Sequence, residues 1–81
     1  MLSPEQVKIW IAEAIPCEHL SVDGDGQHFQ AVIVSTAFTG LSRVARHQKI
    51  NGALRARLES NELHALAMKT LTPEEWAAQR G

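Results

Sequence analysis

The chain has 81 residues, 44% of them hydrophobic and 21% charged, with a formal net charge of −1. Those figures allow one domain around a small core and are ordinary for a soluble globular protein rather than a disordered, fibrous or disulfide-stapled one. No apolar run reaches the length of a membrane span, and the N-terminal MLSPEQVK lacks the basic and apolar regions of a secretory signal. Cys17, the only cysteine, excludes an internal disulfide and fits a reducing cytoplasmic setting.

The first predicted element is a helix. Ser3 is placed to cap it, Pro4 suits its first position, and Gln6 completes a capping-box pattern. Leu2 and Val7 have the spacing of a hydrophobic staple. Val7, Trp10, Ile11, Ala14 and Ile15 form one apolar stripe, and Pro16 ends it. A hairpin follows. His19 to Asp23 alternates, with Leu20 and Val22 on one face, and Gly24-Asp25-Gly26-Gln27 supplies the turn. His28 to Thr36, HFQAVIVST, is rich in β-branched residues. Phe29, Ala31 and Ile33 share one face; Gln30, Val32 and Val34 share the other. Both faces turn apolar toward the strand's end, which marks a central strand.

Phe38 to Ser42 then makes a turn, and Ser42 can cap a helix running to about Leu58. Its core stripe is Ile50, Ala53, Leu54 and Leu58. Projected back by three and four residues, that stripe meets His47, Arg46 and Arg43. The N-terminal half of this helix therefore reaches past the core or lines a polar site. Charge is segregated to match. From Met1 to Ala37 a single base, Lys8, stands among Glu5, Glu13, Glu18, Asp23 and Asp25. Phe38 to Leu58 holds Arg43, Arg46, Lys49, Arg55 and Arg57 with no acid, a solvated helix face or a surface for an anionic partner. A strand from Leu63 to Leu71 comes next, with His64, Leu66 and Met68 on one face. Thr72-Pro73-Glu74-Glu75 repeats the cap, proline and acid logic of a helix start, and Leu71 and Trp76 form a second staple.

The order is α-β-β-α-β-α. A right-handed crossover makes the second and third strands parallel, so the sheet is mixed and the fold a small α+β domain spanning residues 1–81, with helices on one face.

Enzyme chemistry has little support. The sequence holds no dinucleotide-binding or P-loop glycine motif and no HExxH. Cys17 follows Pro16 at a helix end with nothing to activate it, and turn chemistry explains Asp23 and Asp25. Four histidines, His19, His28, His47 and His64, are candidate metal ligands, but no two have local ligand spacing, so any site must be built by the fold. His28 lies at the hairpin turn and His64 at a strand start, where exposed ligands tend to sit. Two imidazoles cannot close a four-ligand site, so softer ligands would have to come from another molecule. The element order also resembles nucleic-acid-binding KH domains, although the GxxG backbone clamp is absent and only four residues are aromatic.

Two stretches carry a more specific likeness: FTGLSRVARHQKINGAL from Phe38 to Leu54, and LHALAMKTLTPEEW from Leu63 to Trp76. With GDGQHF from Gly24 to Phe29, they make the chain resemble the BolA family, bacterial BolA-like proteins in particular, over nearly its whole length. The resemblance implies a class II KH-like fold with a three-stranded mixed sheet. It implies a non-enzymatic adaptor that binds monothiol glutaredoxins of the CGFS type and shares a bridging 2Fe–2S cluster with them, the glutaredoxin cysteine and glutathione supplying thiolates. In that family the histidine at the position of His64 is a cluster ligand, and a loop ligand would be His28 here; His47 takes a structural or secondary role. No cofactor is implied for the isolated chain. The resemblance also brings a second reading, a DNA-binding transcriptional or stress regulator using the basic helix from Arg43 to Arg57. Arg43, Arg46, His47, Lys49 and Lys69 are then the expected partner or nucleic-acid surface. Whether the isolated chain forms a weak homodimer is left open.

Overall fold

The computed structural model describes residues 3–25, 28–55 and 66–80. Its elements are α1 (Pro4–Ala14), β1 (His19–Gly24), β2 (Phe29–Val34), a 3-10 turn (Thr36–Phe38), α2 (Arg43–Arg55), β3 (Leu66–Leu71) and α3 (Pro73–Arg80). The sheet order is β1-β2-β3, with β1 antiparallel and β3 parallel to β2. This is the predicted order and the predicted mixed sheet.

Local chemistry sets where the helices begin. The Gln6 N–H donates to Ser3 Oγ at 3.1 Å, and the Ala45 N–H to Ser42 Oγ at 3.1 Å. At α3 the capping box is reciprocal: the Glu75 N–H donates to Thr72 Oγ1 at 3.2 Å, and the Thr72 N–H to Glu75 Oε1 at 2.8 Å. Ile15 is extended (φ −143°, ψ 152°), as a residue before proline prefers, yet its N–H still reaches Ile11 O at 3.1 Å.

The second strand stops at Val34, short of the predicted Thr36. Ser35 explains the difference. Its hydroxyl donates to the Pro16 carbonyl and accepts the Ala37 N–H, while its own N–H bonds Leu71 O at 3.0 Å. A side chain that closes a 3-10 turn in this way competes with continuation of the strand. Leu58 and the predicted strand residues Leu63 to Ala65 lie outside the described residues.

The core joins Val7, Ile11 and Ile15 of the α1 stripe to Phe29, Ala31 and Ile33 of β2, Phe38, and Ile50 and Leu54 of α2. Complete burial of an isoleucine such as Ile11, Ile33 or Ile50 contributes roughly 2 kcal/mol. The stripe on α1 is narrower than the spacing predicts, since Ala14 is exposed and Trp10 only half-buried. Strand register sets Leu20, Ile33 and Thr70 in one row and Val22, Ala31 and Met68 in the next, all toward α1 and α2.

On the opposite face runs the row His19, Val34 and Leu71, of which Val34 and Leu71 are buried. Here α3 crosses the end of the sheet. The Trp76 ring stacks on His19 with centroids 4.6 Å apart and planes 23° apart, and the Arg80 guanidinium lies 4.5 Å from the Trp76 centroid. The apolar end of β2 on both faces is thus accounted for.

Candidate functional site

The hairpin end presents one imidazole. A Cβ at Gly24 would sit 2.5 Å from His28 O and 2.6 Å from the Phe29 ring, so only glycine allows the two strands to close there. The Asp25 N–H donates to His28 O at 3.2 Å, and the His28 N–H donates to Asp25 Oδ1 at 2.8 Å. Asp25 Oδ2 lies 3.8 Å from His28 Nδ1, and the histidine side chain is 75% exposed. That separation is longer than a hydrogen bond, so the carboxylate lies beside the imidazole without fixing it, and the ring stays open to solvent. Because Phe29 pairs with Leu66 in the parallel ladder, β2 and β3 begin at the same end of the sheet. His28 directly precedes Phe29; His64 precedes Leu66 by two residues in sequence and lies outside the described residues. Among the described residues no group of three or more His, Cys, Asp or Glu converges.

The second feature is a polar groove between α2, β3 and α3. Two adjoining depressions of about 320 and 300 Å³ share Arg43, Thr70, Leu71 and Gln79 in their lining. His47 and Lys69 border one, and Arg46 and Glu75 border the other. Arg43 and Lys69 are exposed and His47 is half-buried. The basic half of α2 therefore lines a polar site, one of the two outcomes its sequence allows. Lys49, also expected on this surface, is exposed on α2 outside the lining.

Arg46 faces inward instead. Its side chain is 11% exposed. Nε donates to Leu41 O at 3.0 Å, Nη1 to Thr70 O at 3.1 Å and to Glu75 Oε1 at 2.7 Å, and Nη2 to Glu75 Oε2 at 3.3 Å. The guanidinium also lies 5.9 Å from the Phe38 ring centroid. One side chain thus ties the turn before α2, the edge of β3 and the start of α3. The hydrogen bonds from Arg46, then that from the Thr72 N–H, pull the Glu75 carboxyl from its ordinary 4.5 down to about 2. Arg46 forms the wall of the groove, and the exposed cations Arg43 and Lys69, with the half-buried His47 imidazole, border its open side.

Thr70, Glu75 and Gln79 were not singled out as site residues by the sequence. The TPEE capping signal marks Glu75 locally, but nothing nearby in the chain announces Arg46 as its partner. Thr70 Oγ1 is buried without a hydrogen-bond partner. Cys17 turns its thiol toward Ile15 O at 3.6 Å, and burial pushes its pKa up, the reverse of what a reactive thiolate needs.

A family model described as BolA-like protein matches residues 1–75. The chain belongs to the BolA-like family. Among BolA-like relatives, the acid stress protein IbaG of Escherichia coli strain K12 is 36% identical over 75 residues, which is 93% of this chain and 89% of that protein. The DNA-binding transcriptional regulator BolA of Haemophilus influenzae is 46% identical over 61 residues, 75% of this chain and 58% of that protein. A solved BolA homologue from Coxiella burnetii superposes with a TM-score of 0.81 at 35% identity, covering 95% of this chain and 99% of that one. The α+β arrangement is therefore the BolA fold. These relatives carry the names of a stress protein and a regulator, not of enzymes.

Proposed function

We propose that this BolA-like chain is a non-enzymatic adaptor that docks on a monothiol glutaredoxin and contributes imidazole to a bridging 2Fe–2S cluster, in cluster trafficking or in iron and redox signalling in the cytoplasm. The observation that carries this reading is His28, exposed at the hairpin end with Nδ1 toward the Asp25 carboxylate. It stands where β2 begins, opposite the start of the strand that follows His64. In this scheme His64 is the principal ligand and His28 the auxiliary one. Asp25 holds the turn that carries His28 by accepting its backbone N–H, and the partner's thiolates complete the set. Imidazole in place of thiolate raises a cluster's potential and makes the bond sensitive to protonation, which suits transfer or sensing.

The test is reconstitution of the protein with a CGFS glutaredoxin, glutathione, iron and sulfide, followed by visible absorption and circular dichroism. His64→Ala should abolish or recast the spectrum of the mixed complex, and His28→Ala should weaken cluster retention. A His64→Ala complex with the wild-type spectrum would remove the ligand assignment.

The outward cations Arg43 and Lys69, with His47 beside them, favour a second reading, a nucleic-acid-binding or stress regulator like the named relatives. Gel shifts over a salt series separate the two. A specific complex survives moderate salt, whereas phosphate-only background collapses steeply.

A further inference from the structure

The outer edge of β1 carries a self-complementary pattern that neither reading uses. Two backbone bonds fix the hydrogen-bond phase of the sheet: Asp25 N–H to His28 O, and Ser35 N–H to Leu71 O. In the β1–β2 register, His19 opposes Val34, Ser21 opposes Val32 and Asp23 opposes Gln30. With this phase, those three residues of β1 turn their N–H and C=O groups toward β2, and Leu20 and Val22 turn theirs outward. β1 is an end strand of the sheet, and among the described residues no backbone bond from a loop or another element reaches Leu20 or Val22. Such an edge is a template for another strand.

We infer that β1 pairs antiparallel with β1 of a second copy about a dyad at Ser21, joining the two three-stranded sheets into one. A dyad there sets the outward groups of Leu20 against those of Val22, so the hydrogen-bond phase matches and about four backbone bonds form. It sets Leu20 beside Val22 on the face that carries α1 and α2, where both are half-buried against the core. It sets the His19 imidazole beside the Asp23 carboxylate on the other face, twice by symmetry. Apolar pairs and a hydrogen-bonding imidazole–carboxylate pair directly across a ladder are the stabilising kind. Ser21 meets only itself, and its small side chain fits the close, non-hydrogen-bonded position on the axis. A dyad at Leu20 would set Asp23 against Cys17, and one at Val22 would set it against Ser21, so the imidazole–carboxylate match belongs to the Ser21 register. The contact is small beside a standard interface, and the dimer is accordingly weak and concentration-dependent.

The test uses the chain alone, so its failure leaves the glutaredoxin reading untouched. In a Cys17→Ala background, Ser21→Cys and Asp23→Cys are oxidised mildly and followed on non-reducing gels, with circular dichroism confirming that each is folded. Ser21→Cys should form the disulfide dimer at least about tenfold faster, because the dyad brings its Cα atoms to about 4.5 Å and leaves those of Asp23→Cys about 13 Å apart. A mixture of His19→Cys and Asp23→Cys should form the crossed dimer. In sedimentation at rising concentration, Asp23→Arg should weaken association of the otherwise wild-type chain about fivefold. Equal cross-linking rates for the two cysteine variants, or a wild-type chain that stays monomeric throughout the series, would overturn the inference.

Discussion

Arg46→Ala should destabilise this domain more than loss of an ordinary helix-surface arginine. The side chain is 11% exposed and donates to two backbone carbonyls, Leu41 O and Thr70 O, besides Glu75. A hydrogen bond from a charged donor contributes about 1.5–3 kcal/mol net, and water entering through the groove can resolvate the abandoned carbonyls, so the lower end applies to each. The buried methylene stem adds packing, and the half-exposed Glu75 carboxylate adds little because solvent screens it. The sum is about 3 kcal/mol, a large fraction of what a domain of this size holds in reserve. Urea denaturation followed by far-ultraviolet circular dichroism measures it. With a slope near 1 kcal/mol per molar, the midpoint should fall by roughly 2–3 M with the slope unchanged. Arg46→Lys keeps the charge but not the fork and should recover less than half of the loss. An alanine variant within about 0.5 kcal/mol of wild type would mean that Arg46 is an ordinary surface residue and that the groove has no such wall.

Glu75 makes a pH prediction with a definite sign. Its folded pKa lies below the unfolded one, so its contribution is complete above about 4.5 and disappears as pH falls toward 2; Glu75→Gln should flatten the stability profile within that window, as acid titration followed by circular dichroism would show. Gly24→Ala should destabilise by about 1–3 kcal/mol, since its methyl would meet the His28 carbonyl, and a thermal melt reads this directly. Ile50, fully buried on α2, should cost about 3 kcal/mol as alanine in the same urea assay.

What the sequence disclosed was local. The caps at Ser3, Ser42 and Thr72 act within three or four residues, and the stripes Val7-Ile11-Ile15 and Phe29-Ala31-Ile33 repeat at the period of their element, so element order and most of the core could be read directly. What it concealed depends on distant partners. Ser35 ends β2 by bonding Pro16 and Leu71, and Arg46 turns inward toward Thr70 and Glu75, which are separated from it by 24 and 29 positions. The stacking of Trp76 on His19 likewise joins opposite ends of the chain. For the site, exposure of His28 followed from its place in a hairpin turn, whereas the groove required α2, β3 and α3 to be assembled before its cations could be seen as neighbours.

The parallel pairing of β2 with β3 has a consequence for the order in which the protein can be made. A hairpin can close as soon as both its strands have left the ribosome, so α1, β1 and β2 are able to associate early. The other edge of β2 waits for Leu66 to Leu71, and Arg46 waits for Thr70 and Glu75. A nascent chain halted before Leu66 exposes an apolar central strand on one side and leaves an arginine without most of its acceptors. The native sheet is completed by a strand synthesised well after the hairpin, and until it arrives the chain is the kind of open-edged intermediate on which chaperones act.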